Sequence, residues 1–291
     1  MKILNFGSLN IDHVYAVDHF VRPGETLNSN QYRVFMGGKG SNQSLALAHA
    51  GARVFHAGKL GKDGLWLRER LQKSGVDTGL VEITDGPSGH AIIQVNKEGE
   101  NAIVLFGGAN RTIAKADAAR VLSRFGKGDY LLLQNEISAI PDIMREASRI
   151  GLAIVLNPAP MHRDVLAYPL ELVACFIVNE IEGAELTGVK TPDKILAAMQ
   201  RRFPSAMTVL TLGADGAVCA HGGTTVRVPA VSVKAVDTTA AGDTFIGYFL
   251  AGLMNGATIQ AALEIACKAA AICVTRPGAA DSIPKRNEVT G

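Results

Sequence analysis

The stretch DTTAAGDTF, from Asp237 to Phe245, holds two carboxylates six positions apart with only small and hydroxylated residues between them, and leads into the apolar run IGYFLAGL. A helix that starts here leaves the N–H groups of Ala241, Gly242 and Asp243 without intrahelical partners. Free N–H groups at the positive end of a helix dipole attract an anion. Ala240, Ala241 and Gly242 add no bulk above that end, so a large charged group has room. Asp243 then stands where a carboxylate can accept the proton of an attacking hydroxyl. A base beside an anion cradle is what phosphoryl transfer to an alcohol requires. A first-turn carboxylate is also an ordinary helix opener, worth ~0.3–1 kcal/mol. The nonapeptide alone leaves both readings open.

Two glycine-rich loops carry related signals. FMGGKGSNQSLALAHAGA (35–52) joins a strand to a helix through Gly37, Gly38 and Gly40, with Lys39 as a mobile cation and Asn42 as a two-way hydrogen bonder. Its spacing is neither GxxxxGK[ST] nor GxGxxG, so it is not a Walker loop or a dinucleotide fingerprint. It reads as a tight turn or as backbone close to a polar ligand. TLGADGAVCA (211–220) reads as an ordinary hairpin or as a shelf of N–H groups facing phosphates.

The elements that must position these residues follow from the hydrophobic pattern. Apolar runs at 2–7, 53–58, 129–134, 153–157, 172–178 and 207–212 predict strands buried on both faces, and helical patterns at 41–50, 63–75, 114–125, 139–150 and 193–203 lie between them. This alternation predicts a mainly parallel sheet with helices on both sides. Residues 12–36 and 89–106 differ: strands such as HAIIQV and NAIVLF alternate around the turn NKEGE, which predicts a small β flap. The last part turns helical over 242–274.

Composition removes several function classes. The 291 residues are 47% apolar and 19% charged with a formal charge of +2, which supports a large core and gives no reason for a nucleic-acid or membrane partner. No run approaches the ~18 apolar residues of a membrane span, and MKILNFGSLN reads as a first strand, so a cytoplasmic protein is expected. Four cysteines (Cys175, Cys219, Cys267, Cys273) form no CxxC and read as buried thiols. Metal-ligand His/Cys spacing is absent. GSLNID after the first strand is not GxGxxG, which argues against a nicotinamide-dependent oxidoreductase.

With these residues assembled, the sequence resembles the ribokinase family of carbohydrate kinases (phosphofructokinase-B type). GSLNIDH, PGET (23–26), GGKGSNQ, GEN (99–101), NPAP (157–160), NEIE (179–182), TLGADG and VDTTAAGDTF occur in the family's order over nearly the whole chain. The resemblance implies a three-layer α/β/α ribokinase-like fold: a main domain of residues 1–11, 37–88 and 107–291, and a β-sheet lid of residues 12–36 and 89–106 that also forms a homodimer contact. It implies an ATP-dependent kinase acting on the primary hydroxyl of a small sugar, with D-ribose expected. Asp243 is implied as the base and the 240–243 helix end as the anion hole. Asn10, Asp12, Gly38, Lys39, Asn42 and Glu136 are implied on the sugar. Asn179, Thr211, Gly213, Gly216, Gly242 and Cys267 are implied on the nucleotide, with Glu182 holding Mg²⁺ through water. Asp237, Thr239, Cys273, Gly278 and Ser282 are implied around a monovalent cation, K⁺ by preference.

Within that resemblance, other acceptors (a nucleoside, another pentose or hexose, a sugar phosphate) and a non-catalytic sugar-binding regulator are the rival readings. Four features depart from the family's pattern: Ile246 where an asparagine is common, Cys267 where His or Asn is common, Asn135 where an apolar residue is expected, and an ending, KRNEVTG, that is expected to lack a final helix.

Overall fold

Runs rich in Val, Ile and Leu alternate with amphipathic segments from the first residues onward, and the chain folds accordingly. The computed structural model describes all 291 residues. The first part comprises β1 (Ile3–Phe6), β2 (Asn10–Ala16), β3 (Gln31–Gly37), α1 (Lys39–His49), β4 (Val54–Gly61), α2 (Leu65–Lys73), β5 (Asp77–Thr84), β6 (Gly89–Val95) and β7 (Asn101–Phe106). There follow α3 (Lys115–Leu122), β8 (Tyr130–Gln134), α4 (Ile140–Arg149), β9 (Ala153–Asn157), β10 (Val173–Asn179), α5 (Glu180–Thr187), α6 (Pro192–Arg202) and β11 (Met207–Thr211). The hairpin β12 (Ala217–His221) and β13 (Thr224–Val228) leads to α7 (Ala241–Met254), α8 (Ile259–Val274) and α9 (Arg286–Thr290).

Nine strands form the central sheet in the order β13-β12-β11-β10-β9-β8-β1-β4-β5. All neighbours from β11 to β5 are parallel; β12 and β13 close one edge as an antiparallel hairpin. The strand order reverses between β1 and β8, and open sheets of this kind bind ligands at such a reversal, beyond the carboxyl ends of the strands. α1, α2, α7, α8 and α9 cover one face around a core of 36 buried residues, and α3 to α6 cover the other around 33. Near-equal cores on both faces explain why the strands read as continuous apolar runs. Trp66 packs against the first of these cores, as its lone place in a helical pattern suggests.

The other four strands form a separate sheet, β3-β2-β6-β7, in which β2 and β6 are parallel and the other pairs antiparallel. Alternation puts Asp12 on one face of it and His13 and Tyr15 on the other. His13 and Tyr32 stack with ring centroids 6.0 Å apart, and His90 packs on Phe106. Tyr32, Val34, Ile92, Val104 and Phe106 are exposed on that same face.

Four segments differ from expectation. β5 and α5 are additional elements. The 242–274 helix is two helices, because Gly256 has a positive φ of 82° and the Thr258 side chain caps α8 by accepting from the N–H of Ala261 at 3.2 Å. The expected lack of a final helix is corrected by α9: the Lys285 N–H donates to Glu288 at 2.7 Å, and Val289 is buried. No helix is long and apolar enough to cross a membrane. All four cysteines are free and buried.

Candidate active site

Polar residues collect where the parallel strands end: Ser8 beyond β1, Asn135 and Glu136 beyond β8, Asn157 at the end of β9, Asn179 at the end of β10 and Thr211 at the end of β11. Above them lies the amino end of α7. The close approach of α7 to α1 depends on Gly247, since a Cβ there would stand 2.4 Å from that of Ala46. This contact brings the polar start of α1 against Asp243.

Asp243 is only 7% exposed. Its Oδ2 accepts from Asn42 Nδ2 at 3.0 Å and its Oδ1 from Gln43 Nε2 at 2.8 Å. The amides of Gly242 and Asp243 donate to no protein acceptor, while Ala241 N–H reaches Thr238 O at only 3.3 Å and the helical ladder starts with Thr244 N–H to Ala240 O at 2.8 Å. Two N–H groups at the helix end are thus free for an anion. Ala240, the residue before the helix, has φ 60° and ψ 6°, a left-handed conformation that costs a non-glycine residue roughly 1 kcal/mol.

Two hollows meet at this helix end. One, of about 420 Å³, is mostly apolar and is lined by Thr211, Gly213, Gly216, Val233, Phe245, Cys267 and Ala271 among others. The second, of about 360 Å³, is polar and is lined by Lys39, Asn157, Asn179, Glu182, Thr239, Ala240, Asp243 and Ile246 among others. Thr211, Thr238 and Gly242 line both. The pair therefore offers an apolar hollow that meets a charged chamber lined by Asp243. Burial pushes the Cys267 thiol up to about 11, so it meets the apolar hollow as a neutral, apolar group. Ile246 leaves one wall of the polar chamber apolar.

Glu182 forms a reciprocal cap with Asn179: Asn179 N–H and Nδ2 each donate to the carboxylate at 3.0 Å, and Glu182 N–H donates to Asn179 Oδ1 at 2.8 Å. Asn157 Nδ2 reaches the same carboxylate at 3.4 Å. Burial raises the pKa of Glu182, and the Lys39 ammonium opposes that shift. Asp243 above all, then Glu136 and Glu182, hold the Lys39 ammonium above its usual range despite burial.

The other expected residues gather around the start of α1 and the Asn10 end of β2. Glu136 accepts from the Ser8 hydroxyl and, at 2.9 Å, from the Lys39 backbone N–H. Burial raises its pKa. Burial, and then the charge of Glu136, push Asp12 up to about 7. Asn10 is buried and accepts from Asn110 Nδ2 at 2.7 Å. Gly38, with φ 91°, carries the turn into α1. Asn42 keeps its Oδ1 buried without a partner.

The Asp237 cluster also assembles. Asp237 accepts from Thr239 N–H at 2.9 Å, Thr239 Oγ1 at 2.6 Å and Gly278 N–H at 2.9 Å. Cys273 Sγ lies 3.0 Å from Ser282 Oγ and 3.7 Å from Thr239 O.

Sequence reasoning singled out neither Gln43, Gln134 nor Asn110, all buried. Asn110 holds the β2 entry through Leu9 N–H at 3.1 Å and Leu9 O at 3.2 Å. Asn135, in place of an apolar residue, donates to Pro160 O at 2.9 Å and accepts from Tyr168 at 2.7 Å, so it fixes the segment after β9. His13 and His90 are packed among aromatic rings on the face of the small sheet opposite Asp12.

The pfkB family carbohydrate kinase model matches residues 1–286. A ribokinase of Haemophilus influenzae is 37% identical, with 97% of this chain and 95% of the relative aligned. The crystal structure of a ribokinase from Cryptococcus neoformans in complex with ADP superposes with a TM-score of 0.86 at 35% identity, covering 99% of this chain and 98% of that one. An Arabidopsis thaliana ribokinase complexed with ribose and ATP gives 0.87 at 27% identity, covering 99% and 97%.

Proposed function

The chain belongs to the pfkB family of carbohydrate kinases and is an ATP-dependent sugar kinase; on that premise we propose that it transfers the γ-phosphate of ATP to the primary hydroxyl of D-ribose, giving ribose 5-phosphate. The observation that carries this reading is the position of Asp243. It joins a polar chamber with free amides on one side to the Asn42 and Lys39 end of the sugar cleft on the other.

Adenosine suits the apolar hollow around Thr211, Gly213, Gly216 and Cys267, and the phosphates suit the chamber lined by Asn179, Lys39 and Gly242. A small polyol needs many donors and acceptors, and Asn10, Asp12, Gly38, Lys39, Asn42 and Glu136 supply them. Asp243 takes the proton of the hydroxyl as it attacks. The Gly242 and Asp243 amides, held at the helix end beyond Ala240 and Ala241, accept the charge that develops on the transferred group. The sheet of residues 12–36 and 89–106 acts as a lid that keeps water out, and its apolar outer face meets a second copy in a homodimer.

Glu182 fits a hydrated Mg²⁺, because its carboxylate is already fixed by N–H donors and would reach the ion through water. When bound, that ion neutralises charge on the β- and γ-phosphates. Asp237, Thr239, Cys273, Gly278 and Ser282 fit a monovalent cation such as K⁺. Oxygens dominate the donors that they and their loop backbone offer, and Asp237 draws the two segments together.

The test is ADP release across pentoses, hexoses, nucleosides and sugar phosphates, with K⁺ or Na⁺ present. D-ribose is expected to give the highest kcat/KM. Asp243→Asn is expected to lose about 10²–10⁴-fold in kcat while still binding ribose; near-normal turnover of that variant removes the base.

A further inference from the structure

Asp243 has two oxygens, and the structure treats them differently. Oδ2 accepts from Asn42, which is 5% exposed and keeps a buried, unpartnered Oδ1. Oδ1 accepts from Gln43, which is 0% exposed and out of reach of any bound substrate. Every polar atom of the Gln43 amide is engaged: Nε2 donates to Asp243 at 2.8 Å and to Asn157 Oδ1 at 3.2 Å, and Oε1 accepts from Gln134 Nε2 at 2.6 Å.

The sense of these bonds is fixed from both ends. Gly40 O, a backbone carbonyl, can only accept, so the Asn5 amide nitrogen faces it, at 2.7 Å. Asn5 Oδ1 is then left to accept from Gln134 Nε2, at 3.0 Å. That same nitrogen meets Gln43 Oε1, which turns Gln43 Nε2 toward the carboxylate. The carboxylate, an acceptor, demands the same orientation. Asn5 sits on β1, Gln134 on β8 and Gln43 on α1, so the row crosses the sheet at its strand-order reversal. Its members are buried and joined by hydrogen bonds, with only Gln134 Oε1 left unpartnered, and this linkage restrains their rotamers.

We propose that Gln43 is a positioning residue that anchors Oδ1 of Asp243, so that Oδ2 is the oxygen that takes the proton from the sugar hydroxyl. This rests on the reading of Asp243 as the base. The incoming hydroxyl meets Oδ2 where Asn42 now donates, and Oδ1 keeps its bond to Gln43 throughout. Loss of the anchor lets the carboxylate turn. That damages the reacting geometry and leaves the sugar contacts in place.

The experiment compares Gln43→Met, which keeps the length and removes both donors, with Asp243→Asn, using D-ribose and ATP. For Gln43→Met we expect kcat to fall about 10–100-fold, the range of a hydrogen bond to a charged group, with KM for ribose unchanged within about twofold. A dead Asp243→Asn beside a Gln43→Met of normal kcat overturns the anchor alone; an active Asp243→Asn overturns the base reading itself. A raised ribose KM at constant kcat also overturns the anchor. Should Gln43→Met fail to fold, the parent protein still decides: on ribose addition the Gln43 side-chain amide NMR signals are expected to keep their shift and slow exchange while those of Asn42 move. Equal movement of both overturns the proposal.

Discussion

Replacing Asp12 by Asn should make the protein more stable, and only above mildly acidic pH. Burial and the neighbouring Glu136 raise the Asp12 carboxyl from an ordinary 3.8 to about 7. The folded protein therefore holds a proton that the unfolded chain has released across roughly three pH units. Each unit is worth about 1.36 kcal/mol. A raised carboxyl gives its full stabilisation below about pH 4 and loses it as pH rises through about 7. The cost of ionising Asp12 in the fold is then at most about 4 kcal/mol above neutrality. Water reaching this partly exposed group reduces that to roughly 2 kcal/mol. Asn keeps the shape and the donor of the protonated acid and cannot ionise. Urea unfolding of parent and Asp12→Asn at intervals between pH 4 and 8.5 measures the difference directly. The variant's advantage should grow by about 2–4 kcal/mol from pH 4 to pH 7.5 and then level off. A difference that stays flat over that range refutes the reasoning, because it means that Asp12 titrates alike in both states.

Gly89→Ala should raise KM for the sugar severalfold with a smaller effect on kcat in steady-state assays, since its Cβ would lie 2.1 Å from Asn110 Nδ2 and 2.3 Å from Asn10 Oδ1 and must displace Asn10. Ala240→Gly should raise stability by about 1 kcal/mol by relieving the left-handed alanine at φ 60°, read as a Tm increase of about 2 °C by calorimetry.

Much of this was legible in the sequence because the physics behind it is local. The runs at 2–7, 129–134 and 153–157 lie within a residue of β1, β8 and β9, since strands buried on both faces admit little but apolar side chains. Helix α7 begins at Ala241, where small residues and a carboxylate announce it. β5 escaped because DTGLVEIT is a half-polar edge strand. Gln43, Gln134 and Asn157 escaped for a different reason. Read by helical or strand period, an amide is a surface residue; these three are buried where Gln43 donates to Asn157 and accepts from Gln134 across α1, β8 and β9, a long-range fact that no window of sequence contains. Asn135 misled in the same way: it looks out of place until Tyr168 and Pro160 are beside it.

The Gln43 to Asp243 bond spans 200 residues. Until α7 is made, the Gln43 amide has Asn157 but no carboxylate to receive it. The polar centre of the site is thus closed by a helix from the last fifth of the chain, which also covers α1.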